Sequence, residues 1–264
     1  MSNSPLVNYT AISPFKTSPR KRTIDALIVH CMAANLSVET CGNVFQRPNR
    51  NASSNYGIGS DGRIGMYVYE KDRAWCSGGK DKNGKVIRVN GISGADWDQR
   101  AISIEVANDG GAETGWHVSD KAMESLVNLL VDICQRNGIP KLLWKNDKTL
   151  VGKMDQQNMA LHRWFSNKSC PGDYLVSKHE WLMEQVNARL NGQPTPTPAP
   201  SGFPYKVKIT CDTLNVRKGP GTSYKVVTQV HKGEVYTITA EQNGWGKLKS
   251  GAGWICLKYT IRIS

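Results

Sequence analysis

Two imidazoles and a thiol in this chain of 264 residues have the types and spacing of a metal site. His30 ends the apolar run ALIVH, and His162 stands eight residues before Cys170 in LHRWFSNKSCPG. Zinc is bound by neutral imidazole and thiolate, and hydrolytic zinc sites keep one position open beside three protein ligands. The spacing lets a loop fold back and bring His162 and Cys170 to one ion, with the strand-end His30 as a rigid third ligand. By itself a His-x7-Cys pair is more often incidental than metal-binding. Glu105 occupies the non-hydrophobic face of the strand-like run AISIEVA. An unpaired buried carboxylate is costly, so it needs a partner or a chemical task, with a rim ion pair as the plain alternative. Tyr56 reads on its own as a strand aromatic, and Lys168 as a solvated loop lysine.

The other cysteines and histidines invite blander readings. The segment His179-Glu180 is not a metalloprotease motif, since Met183 stands where the second histidine belongs. His179 is expected on a solvent face, His117 in a loop and His231 in a surface turn, while Cys134 reads as helix core. Seven cysteines without a CxxC pattern do not make a disulfide scaffold, and they imply synthesis in a reducing compartment. A Cys31–Cys41 bridge stays open for an oxidising exterior.

These side chains must be positioned by an α/β domain. Residues 24–30 read as a buried strand. Ser37 caps a helix running to about Gln46, and residues 55–69 read as a hairpin turning at Asp61-Gly62. In residues 101–107, Ile102, Ile104 and Val106 share one face while Ser103 and Glu105 share the other. Ser119 opens a helix that Gly138 ends, and Ser177 with Glu180 reads as a capping box opening another. Strands interspersed with three helices predict a mixed central sheet flanked by helices.

The stretch 191–202, NGQPTPTPAPSG, has the composition of a semi-rigid spacer. The expected organisation is a first domain over 1–192, a linker over 193–201 and a second domain over 202–264. The second carries ten Lys/Arg against three Asp/Glu, within a net charge of +12 for the whole chain. Its short runs of β-formers between Gly, Pro and Asn turns predict a small all-β barrel. No run of about 18 apolar residues exists, so stable membrane insertion is not expected. The N-terminus shows no secretory leader, which predicts residence in a bacterial cytoplasm before any action outside it.

The ordered set IVHC, NYGIGSDGRI, DRAWCSGG, AISIEVAND and LHRWFSNKSCPGDYL resembles the zinc-dependent N-acetylmuramoyl-L-alanine amidases of the type-2 superfamily, across roughly residues 20–190. That resemblance implies the amidase and peptidoglycan-recognition fold and Zn2+ held by His30, His162 and Cys170. It also implies a base at Glu105, a tyrosine beside the metal at Tyr56 and a lysine facing the scissile carbonyl at Lys168. The implied substrate is peptidoglycan, cut between N-acetylmuramic acid and L-alanine. The chain departs from the common pattern at Cys76, where many relatives have histidine. Cys76 is expected to neighbour the site or to pack, and is not assigned to the metal.

The runs LNVRKGP, KGE, GWGKL and GWI are similar to the bacterial SH3-type wall-binding domain, which implies a cell-wall ligand. Together these features lead to the expectation of a phage endolysin that reaches the wall at lysis. A bacterial autolysin or a non-catalytic peptidoglycan receptor are the alternatives. Nucleic-acid binding has only the positive charge in its favour and is not expected.

Overall fold

The computed structural model describes residues 2–192, 204–242 and 244–263. The chain divides into two compact units, Met1–Pro196 and Thr197–Ser264. The expected linker at 193–201 lies outside the described residues.

The first unit is built on a six-stranded sheet of β1 (Tyr9–Thr10), β2 (Ala26–Cys31), β3 (Tyr56–Ile58), β4 (Ile64–Met66), β5 (Ala101–Val106) and β6 (Met159–Ala160). Their spatial order is β1-β4-β3-β5-β2-β6. Only β3 and β4 pair antiparallel; the remaining neighbours are parallel. The central strands are buried on both faces, which accounts for near-continuous apolar runs such as Ala26–Val29. The β3–β4 turn passes through Gly62 at φ +86, a backbone region that glycine enters without a Cβ penalty.

Among the described residues, four α-helices accompany the sheet: α1 (Val38–Gln46), α2 (Gly94–Asp98), α3 (Asp120–Asn137) and α4 (Asp173–Leu190). The Ser37 and Ser119 hydroxyls accept from the backbone N–H of Thr40 and Ala122, and Ser93 with Asp96 forms a reciprocal capping box at α2. Gly138 closes α3 in the left-handed conformation at φ +66. The buried stripe of α3 includes Leu126, Leu129, Leu130, Ile133 and, as its sequence position suggests, Cys134.

The start of α4 corrects the sequence reading. The helix begins at Asp173, directly after Pro171-Gly172, so Ser177 lies inside it and its hydroxyl donates to the Tyr174 carbonyl. With that start, His179 shares the inward stripe with Leu175, Leu182 and Val186 and is fully buried, not solvent-facing. Its Nδ1–H donates to the Leu175 carbonyl at 2.6 Å, and its ring lies against Trp144.

The second unit is all-antiparallel and SH3-like: β7 (Tyr205–Ile209), β8 (Thr213–Arg217), β9 (Val226–His231), β10 (Val235–Gln242), β11 (Trp245–Leu248), β12 (Trp254–Cys256) and β13 (Thr260–Ile263). The strands run β9-β8-β12-β11-β10-β7-β13 in space. Among the described residues, a single 3₁₀ turn at Leu257–Tyr259 interrupts the strand pattern. Val207, Ile209, Val216, Ile238 and Ile255 form its core, and Trp245 is buried while Trp254 is half-buried.

Candidate active site and metal centre

His30 is the penultimate residue of the interior strand β2, and β6 runs parallel beside it, with Met159 opposite Leu27 and Ala160 opposite Ile28. Both strands therefore deliver their C-terminal ends to one edge, where ligands of parallel sheets commonly bind. Two residues past β6, His162 opens a 3₁₀ turn. The chain then doubles back: the Arg163 N–H donates to the Cys170 carbonyl at 3.0 Å, and the Arg163 guanidinium joins Asp173 at the head of α4. This closure brings Cys170 to the two imidazoles.

The donor atoms converge. His30 Nδ1 lies 3.2 Å from His162 Nδ1 and 3.3 Å from Cys170 Sγ, and the three ligand atoms all fall within 4.8 Å of one another. Two nitrogens about 2.0–2.1 Å from one zinc at tetrahedral corners stand roughly 3.3 Å apart, with a nitrogen–sulfur edge slightly longer. The donors thus have the chemistry and the separations of a three-ligand metal site. Both imidazoles are held neutral, as ligation requires. Burial pushes His162 down to about 4 and His30 well below its ordinary value, with the facing His162 and Lys168 reinforcing the shift at His30. His162 Nε2 is buried with no hydrogen-bond partner among the described residues.

Register decides which side chains face this cluster. His30 pairs with Glu105, and Glu105 pairs with Gly57, so these positions share one face of the sheet. The Glu105 carboxyl is pushed up to about 8, chiefly by burial and then by the Cys31 charge. Among the described residues no hydrogen bond or ion pair reaches it. A cavity of about 390 Å³ brings Glu105, His162, Lys168 and Cys170 to a common surface, walled on one side by Phe45 and Arg50.

Tyr56 lies elsewhere. It pairs with Ile104, which places it on the opposite face from His30 and Glu105. It is fully buried, its hydroxyl donates to Glu70 Oε1 at 2.7 Å and accepts from the Ser4 N–H at 2.9 Å, and it does not line the cavity. The structure therefore brings together five of the six sequence-derived residues, His30, His162, Cys170, Glu105 and Lys168, and excludes Tyr56 by strand parity.

Sequence reasoning left two neighbours without roles. Cys76 Sγ lies 3.2 Å from His30 Nε2. Its backbone N–H and that of Ser77 donate to Asp98 Oδ2, each at 3.0 Å, which ties the segment to α2. The α2 N-terminus can approach so closely because residue 94 is glycine: a Cβ there would sit 1.9 Å from the Ser77 carbonyl oxygen. Cys31 borders the same cavity, and its interaction with Cys170 lowers the Cys31 thiol while raising that of Cys170. The tripeptide Trp75-Cys76-Ser77 carries no local signal of proximity to His30, because the contact spans 46 residues. His117 is not part of the cavity; it pairs with Asp109 and rests on Tyr174.

The chain belongs to the N-acetylmuramoyl-L-alanine amidase family, whose model matches residues 20–173. Residues 212–259 match the bacterial SH3 domain. Among individual proteins, "Putative N-acetylmuramoyl-L-alanine amidase YrvJ" of Bacillus subtilis (strain 168) is 44% identical over 45 residues, which is 17% of this chain and 9% of that protein. The match thus spans under a tenth of that relative's length. The Staphylococcus aureus hydrolase AmiA, solved in complex with its ligand, superposes with a TM-score of 0.50 at 15% identity, covering 74% of this chain and 89% of that one. The PlyG catalytic domain gives 0.47 at 14% identity, covering 74% and 99%. At 15% identity the AmiA likeness speaks to the fold alone.

Proposed function

We propose that the first unit is a zinc-dependent amidase that hydrolyses the bond between the lactyl group of N-acetylmuramic acid and the L-alanine of the stem peptide, and that the second unit holds it to the cell wall. The supporting observation is the convergence of His30 Nδ1, His162 Nδ1 and Cys170 Sγ beside Glu105 and Lys168 in one open cavity.

His30, His162 and Cys170 hold the ion in this reading. A bound zinc supplies electrophilic polarisation of the scissile carbonyl and acidifies water into the neutral range. Glu105 accepts the proton of the attacking water at its carboxylate and returns it to the leaving nitrogen as the amide C–N bond breaks. A carboxyl held near neutrality by burial is suited to both transfers. The Lys168 ammonium faces the developing negative charge on the carbonyl oxygen, where one well-placed donor contributes about 3–4 kcal/mol. Tyr56 has no part in these steps. A receptor lacking catalysis is disfavoured because the thiolate ligand position is kept as Cys170.

Mass spectrometry of digested peptidoglycan, combined with metal analysis of the protein, tests the assignment. Free N-acetylmuramic acid lactyl groups and new L-alanine amino termini are expected; cleavage at any other bond refutes it. We read the biological setting as that of a phage endolysin acting on a Gram-positive wall, supported by the pairing of a hydrolase unit with its own wall-binding unit. Among the described residues, no helix is long and apolar enough to cross a membrane. Expression inside a bacterium should then give lysis only when a membrane-permeabilising protein is co-expressed, and lysis without one contradicts this setting.

A further inference from the structure

His30 has two ring nitrogens, and each faces its own set of donors. Nδ1 faces His162 and Cys170. Nε2 faces Cys76 Sγ at 3.2 Å, and one ligand atom each from His30, Cys76 and Glu105 lies within 4.8 Å of the others. This second set offers one nitrogen, one sulfur and one carboxylate oxygen, a donor combination suited to zinc or cadmium. Cys76 and Glu105 both line the cavity, so a cation from solvent can reach them.

We propose that His30, Cys76 and Glu105 form a second divalent-cation site, back to back with the first across the His30 ring, and that excess zinc or cadmium filling it stops hydrolysis. The cation displaces the thiol proton of Cys76, the Nε2 proton of His30 and the carboxyl proton of Glu105 to solvent, leaving a thiolate, a carboxylate and a bridging imidazolate. One further feature favours a dication at this point. The Cys76 backbone is fixed by Asp98, so the sulfur is delivered without a loop having to order.

The inhibitory consequence rests on the proposed role of Glu105 as proton acceptor, since a carboxylate committed to a cation cannot take the proton. The binding itself does not depend on that role. The test titrates the metal-free full chain with Cd2+ and follows sulfur-to-cadmium charge-transfer absorbance, alongside muropeptide hydrolysis at one and three equivalents of Zn2+. Wild type should show two increments of absorbance and a rate at least tenfold lower at three equivalents than at one. C76S and C76A should each show a single increment and a ratio of rates near one. A second increment that survives in both variants, or inhibition that survives in both, overturns the proposal. A wild type that shows both increments but cuts no muropeptide sinks the amidase reading while leaving the second site standing.

Discussion

The two faces of the six-stranded sheet carry buried polar groups of opposite character. On the face away from the cavity, Tyr56 donates to Glu70. The fully buried Glu70 also pairs with Arg136, accepts from Asn137, and receives support from Asp132 through the same guanidinium. Charge and hydrogen-bonding capacity there are met within the protein, and the network also secures the N-terminal segment, whose Asn3 side chain accepts from the Glu70 N–H. On the cavity face, the half-buried Glu105 has no hydrogen bond or ion pair among the described residues, the buried His162 Nε2 has no hydrogen-bond partner among them, and three metal-binding atoms crowd together. Burying polar groups without partners is expensive, so a protein keeps them where an ion or substrate will complete them. The paired network around Glu70 serves structure, whereas the donors left unpaired at the cavity are available to chemistry.

The sharpest way to break this contrast is to remove a ligand. His162→Ala and Cys170→Ser should each reduce wall lysis to background and lower bound zinc, as read by turbidity and metal analysis. Full activity with an empty site would end the metal assignment. Next, Glu105→Gln should slow muropeptide hydrolysis by about 10²–10⁴-fold with zinc retained. Tyr56→Phe should change the rate less than about threefold and cost roughly 1–2 kcal/mol of stability. A Tyr56→Phe rate as low as that of Glu105→Gln would reverse the assignment of the faces.

Arg136→Ala leaves Glu70 charged and buried, and should destabilise the first unit by about 3–5 kcal/mol in denaturant unfolding without altering zinc content. A pH-dependent effect concerns His179, which burial pushes down to about 4. Between about 6.5 and 4 the unfolded chain binds a proton that the folded one refuses, so stability should fall as pH falls through that window, by up to about 3 kcal/mol. His179→Gln should flatten that slope, and an unchanged slope would assign it to other groups.

Much of this arrangement is legible in the chain because its signals are local. Ser37, Ser119 and Gly138 mark helix ends, and the alternation in AISIEVA separates Glu105 from its apolar neighbours. The proposed ligand set is readable from an ordered set of motifs rather than from spacing. Tyr56 was misplaced because a residue's face depends on register between strands 48 residues apart, and shifting by one position inverts it. His179 is misread from sequence because Ser177 and Glu180 imitate a cap, while the helix starts earlier, at Asp173 after Gly172. The position of Cys76 is not legible in sequence, since nothing within its own segment reports that a distant strand end lies against its sulfur.

X-ray absorption at the zinc edge, on the full chain carrying one equivalent of zinc, addresses the site most directly. Two imidazole nitrogens at about 2.0–2.1 Å and a single sulfur at about 2.3 Å are the expected shell, with the sulfur lost in Cys170→Ser. A shell without sulfur, or one whose sulfur persists in Cys170→Ser, would contradict the centre drawn around His30.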